Sequence, residues 1–360
     1  MEKVNVGVLG ATGMVGQNYI RLLAGHPWFR VTLVAASPAS AGKKYAEAVA
    51  GRWLMEEDIP AEVRDLVVTD ASDVARARGK CAFVFSAVAL DKAATRAVEE
   101  EYAAAEIPVV SNNSAHRGTA DVPVLIPEIN PQHLEILEAQ KRRLGTKKGI
   151  IVVKPNCSVQ SYMAPIHALR KAGAAVSEAI VTTMQGVSGA GYPGNASMDL
   201  IDNILPLIKG EEEKSELEPQ KIFGTVNGSA ITADVSINIS AHCNRVPVVD
   251  GHTACVSLKF AGKAPSLDEI KRIWETFRAE PQELGLPFAP ERPIIVREEI
   301  DRPQPRRDRN ADKGMAVSVG RLRPCNVFDI RFVGLSHNTV RGAAGGGILN
   351  AEILKAKGYL

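Results

Sequence analysis

Residues 4–27 read VNVGVLGATGMVGQNYIRLLAGHP, and this stretch decides the fold. Val4, Val6, Val8 and Leu9 predict a short, largely apolar strand. Val15, Tyr19 and Leu22 then recur at helical steps. Between them Gly10, Gly13 and Gly16 stand three residues apart. A strand, a glycine-rich turn and a helix make half of a βαβ unit. There the backbone turns tightly, approaches a pyrophosphate closely and offers it the free N–H groups of the helix start. The turn therefore predicts a dinucleotide site in which Gly10, Thr12, Gly13, Met14 and Val15 face the cofactor.

Outward from this unit, VTLVAAS (31–37), CAFVFSAV (81–88) and IPVVSNNS (107–114) read as further parallel strands with helical patterns between them. Residues 1–156 thus predict a Rossmann-type, doubly wound α/β domain. Beyond Cys157 the texture changes. EAIVTTMQGVSG, ITADVSINISAHCNRVPV, GHTACVSLKFAG, GMAVSVGRLRP and FDIRFVGLS read as longer, partly alternating strands of a mainly antiparallel sheet. SLDEIKRIWETFRAE and NASMDLIDNILPLIKG read as helices that cover it. Residues 157–336 form this second, α+β unit, and the helical stretch at about 337–360 is expected to return to the first domain.

The 360 residues carry 45% apolar and 23% charged side chains and a formal net charge of +2, which places the chain among ordinary globular proteins of about two domains. That charge provides no broad field for nucleic acid. The basic run RPQPRRDRN at 302–310 reads as a solvated loop. Five cysteines without a CxxC pair argue against a disulfide framework or a structural metal site, and no metal is expected. No apolar run is long enough for a bilayer, and MEK leads straight into a strand pattern rather than a signal peptide. A cytoplasmic enzyme is the expectation.

The end of the second strand selects the nucleotide. An NAD-binding unit places a carboxylate there for the ribose 2′-hydroxyl. This chain has SPASAGKK at 37–44 instead. The hydroxyls of Ser37 and Ser40 and the charge of Lys43 favour NADP, although exposed lysines commonly do no more than face solvent.

A second stretch, IVVKPNCSVQ at 151–160, ends a strand at Pro155 and presents Cys157 where a helical pattern begins. A helix N-terminus lowers a thiol's pKa toward the reactive thiolate, whereas a free cysteine of no function is often a buried small hydrophobe. Arg245 and His252 flank a PVVDG signal that predicts a tight bend carrying both toward one pocket. Each alone is more often structural; with the thiol and the cofactor loop they suggest thiol-based aldehyde chemistry.

The chain resembles the aspartate-semialdehyde dehydrogenase family, in its archaeal and fungal branch, over essentially its full length. The resemblance rests on GATGMVGQ, SNNSAHR, DVPVLIPEIN, KPNCSVQ, TMQGVSGAG, GEEEK, NRVPVVDGHT and SHNTVRGAAGG. It implies that Cys157 is the nucleophile, His252 the acid/base and Arg245 the residue that binds the substrate carboxylate. It further implies that Gln185 positions the substrate, that Glu211 and Lys214 belong to an anion pocket, and that Arg117 and Asn156 contact phosphate. Three adjacent glutamates leave the register at Glu211 open. Ser86, Asn113, Ser188, Gly189 and Asn338 join the cofactor contacts.

The implied reaction reduces L-4-aspartyl phosphate with NADPH to aspartate semialdehyde and phosphate, on the route to lysine, methionine, threonine and isoleucine. Residues 157–336 would then be the catalytic and oligomerisation domain of a homodimer or homotetramer. An N-acetylglutamyl-phosphate reductase, a phosphorylating glyceraldehyde-phosphate dehydrogenase and a non-enzymatic NADP sensor are the alternatives. Neither of the two enzymes combines RVPVVDGH with GEEEK, and a sensor needs no thiol, base and arginine.

Overall fold

The computed structural model describes Glu2–Leu360. Six parallel strands, β1 (Val4–Leu9), β2 (Phe29–Ala36), β3 (Thr69–Asp70), β4 (Phe83–Ser86), β5 (Val109–Ser111) and β6 (Ile151–Val153), form one sheet in the order β3-β2-β1-β4-β5-β6. This is the Rossmann order, in which the chain reverses direction across the sheet between β1 and β4 and opens a crevice at the carboxyl ends of the strands. Val6, Val8, Phe83, Phe85, Val110 and Val152 point to one face. There they pack with Tyr19 and Ile20 of the first helix and with Ile348, Leu349, Ile353 and Leu354 of the last. Glu352 on that last helix accepts from His26 Nε2 at 2.8 Å with both side chains fully buried.

A hairpin of β8 (Thr225–Asn227) and β9 (Ala230–Thr232) stands apart from the second large sheet. That sheet joins β7 (Val176–Gln185), β10 (Asn238–Arg245), β11 (His252–Phe260), β12 (Ile294–Arg297), β13 (Val317–Pro324) and β14 (Ile330–Ser336) in the order β10-β7-β11-β14-β13-β12. It is mixed: β10 runs parallel to β7 and β12 to β13, and the pairings between them are antiparallel. The helices Met163–Lys171 and Leu267–Thr276 cover its inner face. Trp274 is fully buried there and donates Nε1–H to the Pro165 carbonyl at 3.0 Å.

One expected helix is absent. In 195–210 only Ser197–Leu200 makes a helical turn. Asn203 competes with the helix by accepting from the Ile204 N–H at 2.9 Å, and Asp202 sits at φ 58°. Leu205 then forms an antiparallel bridge with Arg245, so the segment extends the sheet at its β10 end. The rest of the β10 edge is closed by a helix, Glu211–Ile222: Glu212 accepts from the Cys243 N–H and Glu216 from the Ala241 N–H, each at 3.1 Å. Edge N–H groups left free would invite pairing with another chain.

Candidate active site

Three neighbouring strands end in one row. Arg245, at the end of β10, pairs in register with Gln185 at the end of β7, and Gln185 pairs with His252 at the start of β11. The bend expected between Arg245 and His252 is therefore not a hairpin; the loop 246–251 steps over the end of β7. The two side chains nonetheless share a pocket. A Cβ on Gly189 would lie 2.9 Å from Arg245 Nη1 and 3.3 Å from His252 Nε2.

Cys157 reaches this row from the turn after β6, with Sγ 3.3 Å from His252 Nε2. The Gly186 N–H donates to His252 Nδ1 at 3.1 Å, so the neutral ring carries its hydrogen on Nε2 and directs it at the sulfur. Burial, followed by the charge of Arg245, pushes His252 down to about 3, which keeps the ring neutral. Burial also pushes the Cys157 thiol up, with Glu211 adding to it and Lys154, Arg117 and Arg245 opposing. This corrects the expectation of a thiol lowered by a helix N-terminus. Cys157 immediately precedes a short 3₁₀ turn, Ser158–Ser161, and the α-helix begins only at Met163. Lys154, nearly fully buried beside the thiol, donates to the Pro155 carbonyl at 2.5 Å, and burial lowers it to about 7.

The three glutamates of GEEEK separate. Glu211 turns inward and accepts from Asn156 Nδ2 at 2.9 Å and from Lys214 Nζ at 2.8 Å, Glu212 serves the sheet edge, and Glu213 is exposed. Burial works to raise the Glu211 carboxyl, but Lys214 and the Asn156 amide more than offset it and hold it below the usual range. Arg117 donates to Glu218 at 2.9 Å and to the Lys154 and Asn112 carbonyls. Glu218 also accepts from the Asn156 N–H at 2.6 Å. Sequence reading missed Glu218. The available signal was its place two helical turns beyond Glu211, on the same face. Gln185 is buried and donates to Thr183 Oγ1 at 3.2 Å.

A groove of about 440 Å³ lies over the carboxyl ends of β1 to β4, lined by Gly10, Thr12, Gly13, Met14 and Ser37. Gly10 sits at φ +75°, and a Cβ there would come within 2.2 Å of the Ala87 carbonyl oxygen. Of the other expected cofactor residues, Val15 does not line the groove and Lys43 is exposed outside it. Ser40 is buried and bonded to Arg52. Ser86 accepts from Asn113 Nδ2 at 3.1 Å. Asn338 accepts from the Gly251 N–H and donates to Ser188 Oγ, both at 2.8 Å, beside the row of Arg245, Gln185 and His252. Arg52 and Tyr192 line the groove without having been singled out from sequence. A groove at the switch point, floored by glycine backbone and free of a carboxylate at the end of β2, fits a phosphorylated dinucleotide. Among the described residues no group of three or more His, Cys, Asp or Glu side chains is placed to hold a metal.

Residues 5–137 match the family model for the semialdehyde dehydrogenase NAD binding domain, and residues 166–341 the model for the semialdehyde dehydrogenase dimerisation domain. The chain is 46% identical to the aspartate-semialdehyde dehydrogenase of Cryptococcus neoformans, covering 99% of this chain and 98% of that one. With that of Methanothermobacter thermautotrophicus identity is 47%, over 98% and 99%. The crystal structure of aspartate semialdehyde dehydrogenase with NADP from Candida albicans superposes with a TM-score of 0.90 at 41% identity, over the whole of both chains.

The chain belongs to the aspartate-semialdehyde dehydrogenase family.

The Cys157 thiol lies between the two matched regions, in the stretch that joins them. The Rossmann-type fold, the second domain and the fungal and archaeal kinship read from the sequence all hold.

Proposed function

We propose that this chain reduces L-4-aspartyl phosphate to L-aspartate 4-semialdehyde and phosphate with NADPH. The observation that carries the reading is the thiol 3.3 Å from an imidazole whose neighbour in the same pocket is the Arg245 guanidinium. Cys157 attacks the acyl phosphate as a thiolate. Its sulfur bonds to the acyl carbon, the C–O bond to phosphate breaks, and the oxidation level is unchanged. When bound, the nicotinamide supplies the hydride that takes the thioester to the aldehyde level. The C–S bond then breaks, and the thiolate returns. His252 Nε2–H donates to the sulfur at rest and to the substrate oxygen as charge develops on it. Arg245 holds the α-carboxylate in a planar fork, Gln185 orients the chain beside it, and Lys214 with Arg117 and Asn156 holds phosphate.

Residues 1–156 together with the last helix act as the nucleotide unit and 157–336 as the catalytic and assembly unit. A dimerisation domain implies an oligomer. We assign the second copy to the outer face of the mixed sheet, where Ile180 and Cys255 are exposed, and read the assembly as a dimer or a pair of dimers. Five free thiols, one of them the nucleophile, suit the reducing cytoplasm. No described helix is long and apolar enough to cross a membrane.

The test is phosphate-dependent NADP reduction with aspartate semialdehyde, N-acetylglutamate semialdehyde and glyceraldehyde 3-phosphate in parallel. Turnover is expected with the first alone. Cys157→Ser should keep its fold and nucleotide binding and lose nearly all rate. Turnover of either other aldehyde at a comparable rate, or near-normal activity of the serine variant, would refute the assignment.

A further inference from the structure

The nucleotide groove is lined by two side chains with formal charge, Asp70 and Arg52. Asp70 is occupied by Ser72, accepting from its N–H at 2.9 Å and its hydroxyl at 2.8 Å. Arg52 is differently placed. Its Nε and Nη2 donate to the Ala48 carbonyl at 3.0 and 2.9 Å, and Nη2 also donates to Ser40 Oγ at 3.2 Å. A guanidinium has five N–H groups, so among the described residues the pair on Nη1 has no partner.

The backbone beneath is fixed to the glycine loop. Gln17 donates Nε2–H to the Thr12 carbonyl at 3.0 Å and to the Arg52 carbonyl at 2.9 Å, while its Oε1 accepts from the Leu54 N–H at 2.8 Å. Arg52 is thereby held over the space between the cofactor turn and the end of β2. The lysines after β2 are elsewhere: Lys43, favoured from sequence, is exposed outside the groove, and Lys44 pairs with Asp65 at 2.9 Å.

We propose that Arg52, held by its bonds to Ala48 and Ser40, reads the 2′-phosphate of the nucleotide and sets the preference for NADPH over NADH. The proposal rests on the NADP-dependent reading above. The positive charge and the N–H groups of Nη1 give a phosphate oxygen a charge-assisted partner in the groove. A 2′-hydroxyl in the same place offers no charge for Arg52 to meet.

Calorimetry of the intact enzyme with adenosine 2′,5′-bisphosphate and with adenosine 5′-monophosphate separates phosphate reading from adenosine binding. Arg52→Gln should weaken the bisphosphate about 10- to 100-fold, the range of a charge-assisted hydrogen bond, and leave the monophosphate within about two-fold. The NADPH to NADH ratio of kcat/KM should fall in parallel. Arg52→Lys, which keeps the charge and loses the bonds that anchor the guanidinium to Ala48 and Ser40, should fall between, and it serves if the glutamine variant does not fold. Lys43→Gln should leave the ratio of the two affinities unchanged. Equal losses on both ligands, no loss on either, or discrimination that follows Lys43 would overturn the proposal. If the unaltered enzyme binds both ligands alike, the NADP reading fails with it; if it prefers the bisphosphate and Arg52→Gln does not alter that, the NADP reading stands and only the Arg52 assignment falls.

Discussion

At the scale of the residue, the thiol of Cys157 is set by opposing fields. Burial and Glu211 favour the thiol, and Lys154, Arg117 and Arg245 favour the thiolate. The net direction is upward, so the thiolate fraction of the free enzyme should grow with pH through and beyond the ordinary thiol range. The iodoacetamide alkylation rate of Cys157 is expected to rise accordingly, with no step near 6.5, because His252 titrates at about 3. A plateau below neutrality would show an ion pair instead. At Lys214 the prediction concerns phosphate. Among the described residues its Nζ meets Glu211 alone, and it keeps 30% side-chain exposure, so Lys214→Ala should raise the phosphate KM while Cys157 alkylation stays unchanged. An unaltered phosphate KM would reduce Lys214 to a partner of Glu211.

At the scale of the element, much was legible where local pattern and final structure agree. The strand, glycine turn and helix of 4–27 follow from periodicity and from the steric demand at Gly10. The meeting of Arg245 with His252 could be suspected from their spacing, but its cause could not. A third strand, β7, passes between their strands from far away in sequence. The helix expected at 195–210 lost to Asn203 and to the Leu205 bridge, a tertiary contact that helical spacing cannot reveal. Arg52 escaped because it sits in an aperiodic turn, and Lys43 drew attention only by nearness along the chain. The π turn Val340–Ala344 gives an element-level prediction. A Cβ on Gly342 would lie 2.8 Å from Cys157 Cβ and 3.2 Å from its Cα. Gly342→Ala should displace the thiol by some tenths of an ångström and lower kcat about 10- to 100-fold, with nucleotide affinity within about two-fold. Unchanged kcat would mean that the turn yields instead.

At the scale of the whole molecule, buried imidazoles govern the response to acid. Burial lowers His116, His167 and His337 to about 4 and His252 to about 3. The unfolded chain takes up these protons near 6.5 and the folded one does not. Their contribution is therefore complete above about pH 6.5 and is lost as pH falls toward 4, by at most about 1.4 kcal/mol per pH unit for each ring. Urea midpoints at fixed protein concentration should hold level from pH 8 to 7 and drop between 6.5 and 4.5. A midpoint flat across that lower range would contradict the burial of these rings.

The packing of the last helix against the first sheet also sets an order of events in the making of the protein. Val6, Val8 and Tyr19 leave the ribosome early, yet the side chains that close their face of the core, Ile348, Leu349, Ile353 and Leu354, are more than 300 residues downstream. At translation speeds of about 5–20 residues per second, the apolar face of the nascent nucleotide-binding half stays uncovered for roughly 20–70 s. For that interval the ribosome-bound chain is a client for any chaperone that reads exposed valine and phenylalanine, and the enzyme can first bind nucleotide tightly only after its final turn of helix has been released.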